Sequence, residues 1–333
     1  MHREIISTAS GRPWQGVPAI ERAANGRLWC ALMTGGPFEP TIENYVALTT
    51  RAAGEAVWSR PAMAVPAIHG VRSYDGALWH DPDGRLWLFY NQASLEQGHF
   101  GVWLRNADDA AVPNPLWSEP RAIDLGVPFA YRLNKPTVLS TGAWLLPITW
   151  AQQTPTTTWW PDCEQLQGVA ISTDRGQTWS LHGAVEAPRW ALECMVVEGR
   201  DGRLWMLIRT GSGVLWQSDS EDGGVTWSKG RPSEIVNPGA RFFVRRLSSG
   251  RLLLINTPHP TRRQGLRVYV SLPHDDRTFV GGLELDPRDR VSYPDAVQAP
   301  DGVIYAVHDH DRGGVGEVLL DVFTEQEVLA AAH

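Results

Sequence analysis

Glu193 and Arg209 stand sixteen residues apart, and the Asp201-Gly202 pair lies between them in two apolar runs, Cys194-Met195-Val196-Val197 and Leu204-Trp205-Met206-Leu207-Ile208. Asp-Gly between apolar runs marks a tight antiparallel hairpin, which returns the far end of the segment to its start and sets a carboxylate near a guanidinium. Arg263 precedes another apolar run, Leu266 to Ser271, and Tyr293 opens a third in Ser292-Tyr293-Pro294-Asp295. A carboxylate, two guanidinium groups and a phenol can hold an anion and move a proton. The chain that carries them is acidic, with 30 Lys and Arg against 37 Asp and Glu and a net charge of −7. Nucleic acid and an anionic membrane surface are therefore not expected partners, and any anion site must be a local cluster of Arg.

The placement of these residues repeats. Six times a small residue or Asp/Asn before Gly precedes a hydrophobic strand, at Gly26, Gly84, Gly142, Gly202, Gly250 and Gly302. Nine residues before each glycine lie Val17, Asp75, Leu133, Glu193, Arg241 and Tyr293, and Leu133 is flanked by Arg132, Asn134 and Lys135. Charged groups at the start of strands that run into apolar core are costly unless they meet water or one another. Two readings are open: ion pairing between neighbouring repeats, or a ligand pocket lined by the strand starts. Asn91 and Asp309, at second-strand ends, are further candidates for such a pocket. His80, His99 and His308 are candidate bases, although histidine in this setting is more often a structural hydrogen-bonding group.

The elements that must position these groups come from the repeat. The turn glycines are separated by 58, 58, 60, 48 and 52 residues over a chain of 333. Each turn lies between apolar runs, and a third strand follows: Tyr45–Leu48, Gly101–Leu104, Val169–Ile171, Val214–Trp216, Val268–Val270 and Val318–Leu320. Two further turns share the pattern Ser-x-Asp-x-Gly-x-Thr-Trp, at Ser172 to Trp179 and Ser220 to Trp227, and degenerate copies end at Trp58, Trp117 and Phe279. In this pattern Asp accepts from the turn's own backbone, Gly supplies a positive φ, and Trp packs between sheets. Repeats of about fifty residues with four strands each predict an all-β fold, a six-bladed β-propeller forming one domain over residues 1–333. Thr324-Glu325-Gln326-Glu327 predicts a capping box that opens a short C-terminal helix running to Ala331.

Cys30, Cys163 and Cys194 show no metal-binding spacing and read as thiols in a reducing compartment. No metal or cofactor motif is present. Met1 to Ser7 contains no apolar stretch of signal-peptide length, and nothing approaches a membrane span, so a cytoplasmic location is expected.

The Ser-x-Asp-x-Gly-x-Thr-Trp turns are the Asp-boxes of sialidases and related propellers. Glu193, Arg209, Arg263 and Tyr293 resemble, in order and approximate spacing, the residues that sialidases (neuraminidases) use for catalysis. The resemblance implies that Tyr293 is the nucleophile, that Glu193 takes its proton, and that Arg209 and Arg263 hold a substrate carboxylate. Arg241, Asp75, Arg132 and Lys135 are expected to add substrate contacts. The family's acid/base carboxylate lies five residues before an Asn, and Glu39 stands in that relation to Asn44. A Tyr nucleophile suits a sugar that carries a carboxylate at its reacting carbon, because a neutral phenol is not repelled by it. The chain departs from the family where the first blade opens, with Gly16-Val17-Pro18 in place of an Arg-Ile-Pro that completes a carboxylate-binding triad. Arg12, Arg72 and Arg132 are candidate replacements.

The resemblance therefore implies an exo-glycosidase that releases a terminal acidic sugar, whether sialic acid or another ulosonic or uronic acid. The alternatives are a lyase acting on uronate-linked sugars and a carbohydrate-binding propeller without catalysis, since a fold does not dictate a function. Trp159 and Trp160, in a polar loop, could line a sugar site. The residues carry no information on oligomeric state.

Overall fold

The computed structural model describes residues 1–9, 11–96, 98–132, 134–157 and 162–331. Leu133, Trp159, Trp160 and the side chain of His99 lie outside the described residues. The fold is nearly all-β, a six-bladed propeller of antiparallel blades with one short helix among the described residues. Two compact units are distinguished. One holds Met1–Ile123 and Tyr293–Phe323, and the other holds Asp124–Thr156 with residues 162–292 and 324–331.

The first unit contains three blades. One is Gln15–Arg22, Leu28–Thr34, Tyr45–Arg51 and Ala62–Met63, and the next is Arg72–His80, Leu86–Ser94, His99–Ala107 and Arg121–Ala122. The last blade of the chain, Val291–Gln298, Val303–His310 and Glu317–Thr324, takes its fourth strand from the N-terminus, His2–Ser7. Arg3 faces Asp321 across that junction and donates to it at 2.8 Å. His308, fully buried, sets its Nδ1 3.2 Å from the same carboxylate. His308 is thus part of the clasp that joins the chain ends, and His80, 3.3 Å from Glu21, is likewise engaged with a carboxylate. Ile20, Leu28 and Cys30 of the first blade pack with Val307, Val318 and Leu320 of the last. Removing one such fully buried side chain, as in Ile20→Ala, costs about 2–5 kcal/mol.

The second unit contains the other three blades. In its first blade, Phe129–Tyr131 and Thr137–Val138 both pair with Trp144–Ala151, followed by Leu166–Ser172 and Ser180–Val185. The residues between the two short strands include Arg132, Asn134 and Lys135. Next come Leu192–Glu198, Leu204–Arg209, Val214–Ser220 and Arg231–Val236, then Phe243–Arg246, Leu252–Asn256, Gln264–Leu272 and Asp275–Asp289. The helix Glu325–Ala330 begins at Thr324 with the expected capping box, in which Thr324 Oγ1 accepts from the Glu327 amide and the Glu327 carboxylate accepts from the Thr324 amide.

All six turn glycines have φ between 78° and 88°. They do not occupy two-residue turns, as Asp-Gly usually does. In each, the glycine N–H returns to a carbonyl three residues earlier, as Gly202 does to Gly199 at 3.0 Å, so a longer turn closes with Gly in the left-handed region. Both Asp-boxes form as expected. Asp174 accepts from the amide and the hydroxyl of Thr178, and Asp222 accepts in the same way from Thr226. The indoles of Trp179 and Trp227 donate to the carbonyls of Gly176 and Gly224. These hydrogen bonds tie down both turns.

Among the described residues, no helix is long and apolar enough to cross a membrane. Cys30 and Cys194 are buried and free, and burial pushes the Cys194 thiol up to about 12, so it stays protonated and unreactive.

Candidate functional site

Four of the positions nine residues before the turn glycines share a backbone feature that Arg241 lacks. Val17, Asp75, Glu193 and Tyr293 have φ of 52°, 53°, 54° and 57°. In the first three the strand register also shifts, between Gly16 and Ala19, between Tyr74 and Ala77, and between Leu192 and Met195. Each is a β-bulge that re-aims one side chain. A left-handed conformation costs a side-chain-bearing residue about 1–2 kcal/mol, and Val and Tyr rarely adopt it. Strain of this kind persists where the surroundings over-determine it, and it concentrates at functional sites.

In the second unit the bulge carries Glu193. Its Oε1 lies 2.6 Å from Arg209 Nη1, and the two side chains are 2% and 9% exposed. Leu192 pairs with Arg209 across the hairpin, so the expected carboxylate–guanidinium pair forms through strand register. The bulge frees the carbonyls of Glu193 and Cys194 from the ladder. Asn134 Nδ2 donates to both, at 3.1 and 3.0 Å, while Asn134 Oδ1 accepts from Arg241 Nε at 2.8 Å. Asn134 therefore locks the backbone beneath Glu193 and orients Arg241. Asn134 lies between the strands Phe129–Tyr131 and Thr137–Val138. Arg132, Lys135 and Arg241 are buried almost completely. Arg263 is half-buried and donates from Nη2 to the Gly239 carbonyl at 2.9 Å.

In the first unit the bulge recurs at Val17 and Asp75, and Tyr293 shares the left-handed backbone; all three are buried. Glu39, in the loop that leads to Asn44, accepts from Arg72 Nη2 and from Arg312 Nη1, each at 3.2 Å. Arg72 lies over the ring of Tyr74, with its guanidinium carbon 4.1 Å from the centroid. Arg312 lies over the ring of Tyr293 at 4.5 Å, a cation–π contact with the phenol singled out by sequence. The Val17 amide, displaced by its bulge, is met at 2.8 Å by the buried carboxylate of Asp309. Asn44 fixes the Glu39 loop by accepting from the Thr41 amide and donating to the Phe38 carbonyl.

Two residues stand out that the sequence pattern missed. Asn134 had a signal, its place beside Leu133. Arg312 had none, since it lies beyond the last blade's second strand and far in sequence from Glu39 and Trp14, which it touches. Of the candidate replacements for the first-blade Arg, Arg12 hydrogen-bonds Ser7 and Gln15, and Arg72 contacts Glu39. Among the described residues no group of His, Cys, Asp and Glu is arranged to hold a metal ion.

A model of the BNR repeat-like domain family matches residues 26–306. None of the curated proteins matches the chain at significant similarity. Among solved structures, a Dyadobacter fermentans protein of unknown function is 16% identical with a TM-score of 0.78, over 97% of each chain. The intramolecular trans-sialidase of Ruminococcus gnavus, solved with oseltamivir carboxylate, is 15% identical with a TM-score of 0.75, over 98% of this chain and 97% of that one. The leech intramolecular trans-sialidase, solved with 2,7-anhydro-Neu5Ac, is 14% identical with a TM-score of 0.78, over 99% of this chain and 71% of that one. At these identities the likeness is one of fold.

Proposed function

The chain belongs to the BNR repeat-like domain family, and from that premise we propose that it is an exo-glycosidase that releases a terminal sugar bearing a carboxylate. One observation carries the reading: the side chains that sequence assigns to chemistry, Glu193 and Tyr293, both sit at the start of a blade on a left-handed backbone, with φ of 54° and 57°.

In this reading Tyr293 is the nucleophile and Glu193 the base. Glu39 protonates the leaving oxygen and afterwards activates water, while Arg209 and Arg263 hold the substrate carboxylate. The phenol oxygen bonds to the anomeric carbon as the glycosidic C–O bond breaks. The leaving group takes the proton of the acid, the base takes that of the phenol, and water then cleaves the glycosyl–tyrosine bond, so the configuration is retained. Arg241, Asp75, Arg132 and Lys135 add charge around the substrate.

The test is turnover of aryl glycosides and oligosaccharides of sialic acid, other ulosonic acids, uronic acids and neutral sugars. Release of a reducing acidic sugar supports the hydrolase. Appearance of the ultraviolet absorbance of an unsaturated uronate would replace it with a lyase. Binding of acidic sugars without turnover would replace it with a carbohydrate-binding propeller.

A further inference from the structure

We infer that Arg312, seated in the space left by the missing side chain of Gly16, is the residue that selects a carboxylate-bearing substrate beside Tyr293. This rests on the glycosidase reading above. A β-carbon built on Gly16 would meet Arg312 Cδ and Cγ at 2.2 and 2.4 Å and Asp309 Oδ2 at 2.9 Å. No residue other than glycine fits at position 16 while Arg312 keeps its course. Gly16 has no positive φ to explain it, so space is the reason for glycine there.

The course of Arg312 ends at the reacting group. Its guanidinium lies over the Tyr293 ring at 4.5 Å and faces Trp14 at 5.7 Å. Nη1 is 3.2 Å from Glu39 Oε2, and Nε is 3.7 Å from Asp309 Oδ2. Its side chain is 18% exposed, so it is reachable from water yet largely desolvated. Two carboxylates and two rings thus fix the plane of the fork. A guanidinium has five N–H donors, which allow it to bind carboxylates on more than one side. A substrate that carries its carboxylate on the anomeric carbon, as an ulosonic acid does, brings that carboxylate toward this cation when the anomeric carbon meets the Tyr293 hydroxyl. Arg72, the other guanidinium on Glu39, lies over Tyr74 instead. The cation absent from the first blade is supplied from the loop after Val303–His310, and Gly16 with Arg312 forms one exchanged pair.

The experiment compares the acidic aryl glycoside that the wild-type protein cleaves best with its neutral carboxamide, for wild type, Arg312→Ala, Arg312→Lys and Gly16→Ala. Losing a charge-assisted hydrogen bond corresponds to roughly a 10- to 100-fold change. We expect KM for the acid to rise by about that factor in Arg312→Ala while the carboxamide changes little, which collapses the preference for the acid. Arg312→Lys should restore part of the preference. Gly16→Ala should reproduce the defect with every charge retained, with melting temperature checked for each variant. An unchanged acid-to-amide ratio in Arg312→Ala, with an active wild type, overturns this inference alone. A wild type that acts on no acidic sugar overturns the glycosidase reading and this inference with it.

Discussion

Replacing Arg209 with Ala isolates the best-defined contact of the site. Arg209 Nη1 and Glu193 Oε1 are 2.6 Å apart, and both side chains are largely withdrawn from water. Removing one partner of such a pair leaves an uncompensated buried charge and costs about 3–5 kcal/mol. Changing Glu193 to Gln in the same protein removes that charge and leaves a buried amide, whose cost is about 1–3 kcal/mol. The double variant Glu193→Gln/Arg209→Ala should therefore be more stable than Arg209→Ala alone by about 2 kcal/mol, and the two losses should be non-additive, as for residues in contact. Urea and thermal midpoints of wild type, both single variants and the double variant close the cycle. Turnover should be lost in all three variants, because stability is recovered in the double one and chemistry is not. An Arg209→Ala protein as stable as wild type, or strictly additive losses, would show that no buried pair forms and would remove the basis for placing Glu193.

Asn134→Ala should cost about 1–3 kcal/mol by orphaning the carbonyls of Glu193 and Cys194, and it should lower turnover by loosening Glu193; an unchanged melting temperature would contradict the contacts at 3.1 and 3.0 Å. The two Asp-boxes make a prediction in acid. Hydrogen bonds from Thr178 and Thr226 hold Asp174 and Asp222 down to about 2, below the usual carboxylate range. A depressed folded-state value contributes stability that is present above the unfolded value near 4 and lost as pH falls through about 2. Melting temperature should thus fall between about pH 4 and 2, and Asp174→Asn with Asp222→Asn should flatten that limb while leaving turnover near neutral pH unchanged. A limb of the same steepness in the double variant would assign acid lability elsewhere.

Much of the fold is legible because the repeat is local. A turn glycine, its flanking apolar runs and an Asp-box all lie within one blade, so each blade announces itself without reference to the others. The nine-residue count reaches the bulges for the same reason: the hairpin between turn and bulge has nearly constant length. Glu193 and Arg209 are legible together because one hairpin carries both. What depends on distant parts of the chain is not legible. The strand His2–Ser7 has no turn signal and acquires its role only by pairing with Glu317–Thr324. Asn134 matters because a neighbouring blade's bulge frees two carbonyls. Arg312 owes its position to an absence, the missing side chain of Gly16, almost three hundred residues earlier. Sequence shows that glycine as a departure from a family pattern and gives no hint of what fills the space.

The most direct test of the glycosidase reading is the mass of the protein quenched during turnover of an acidic aryl glycoside, with Tyr293→Phe alongside. We expect wild type to gain the mass of one glycosyl unit on the peptide that contains Tyr293. Tyr293→Phe should fold, gain no such mass and turn over no substrate. Turnover by Tyr293→Phe, or a glycosyl unit on any other residue of wild type, would contradict the assignment of Tyr293 as nucleophile and with it the mechanism built on that residue.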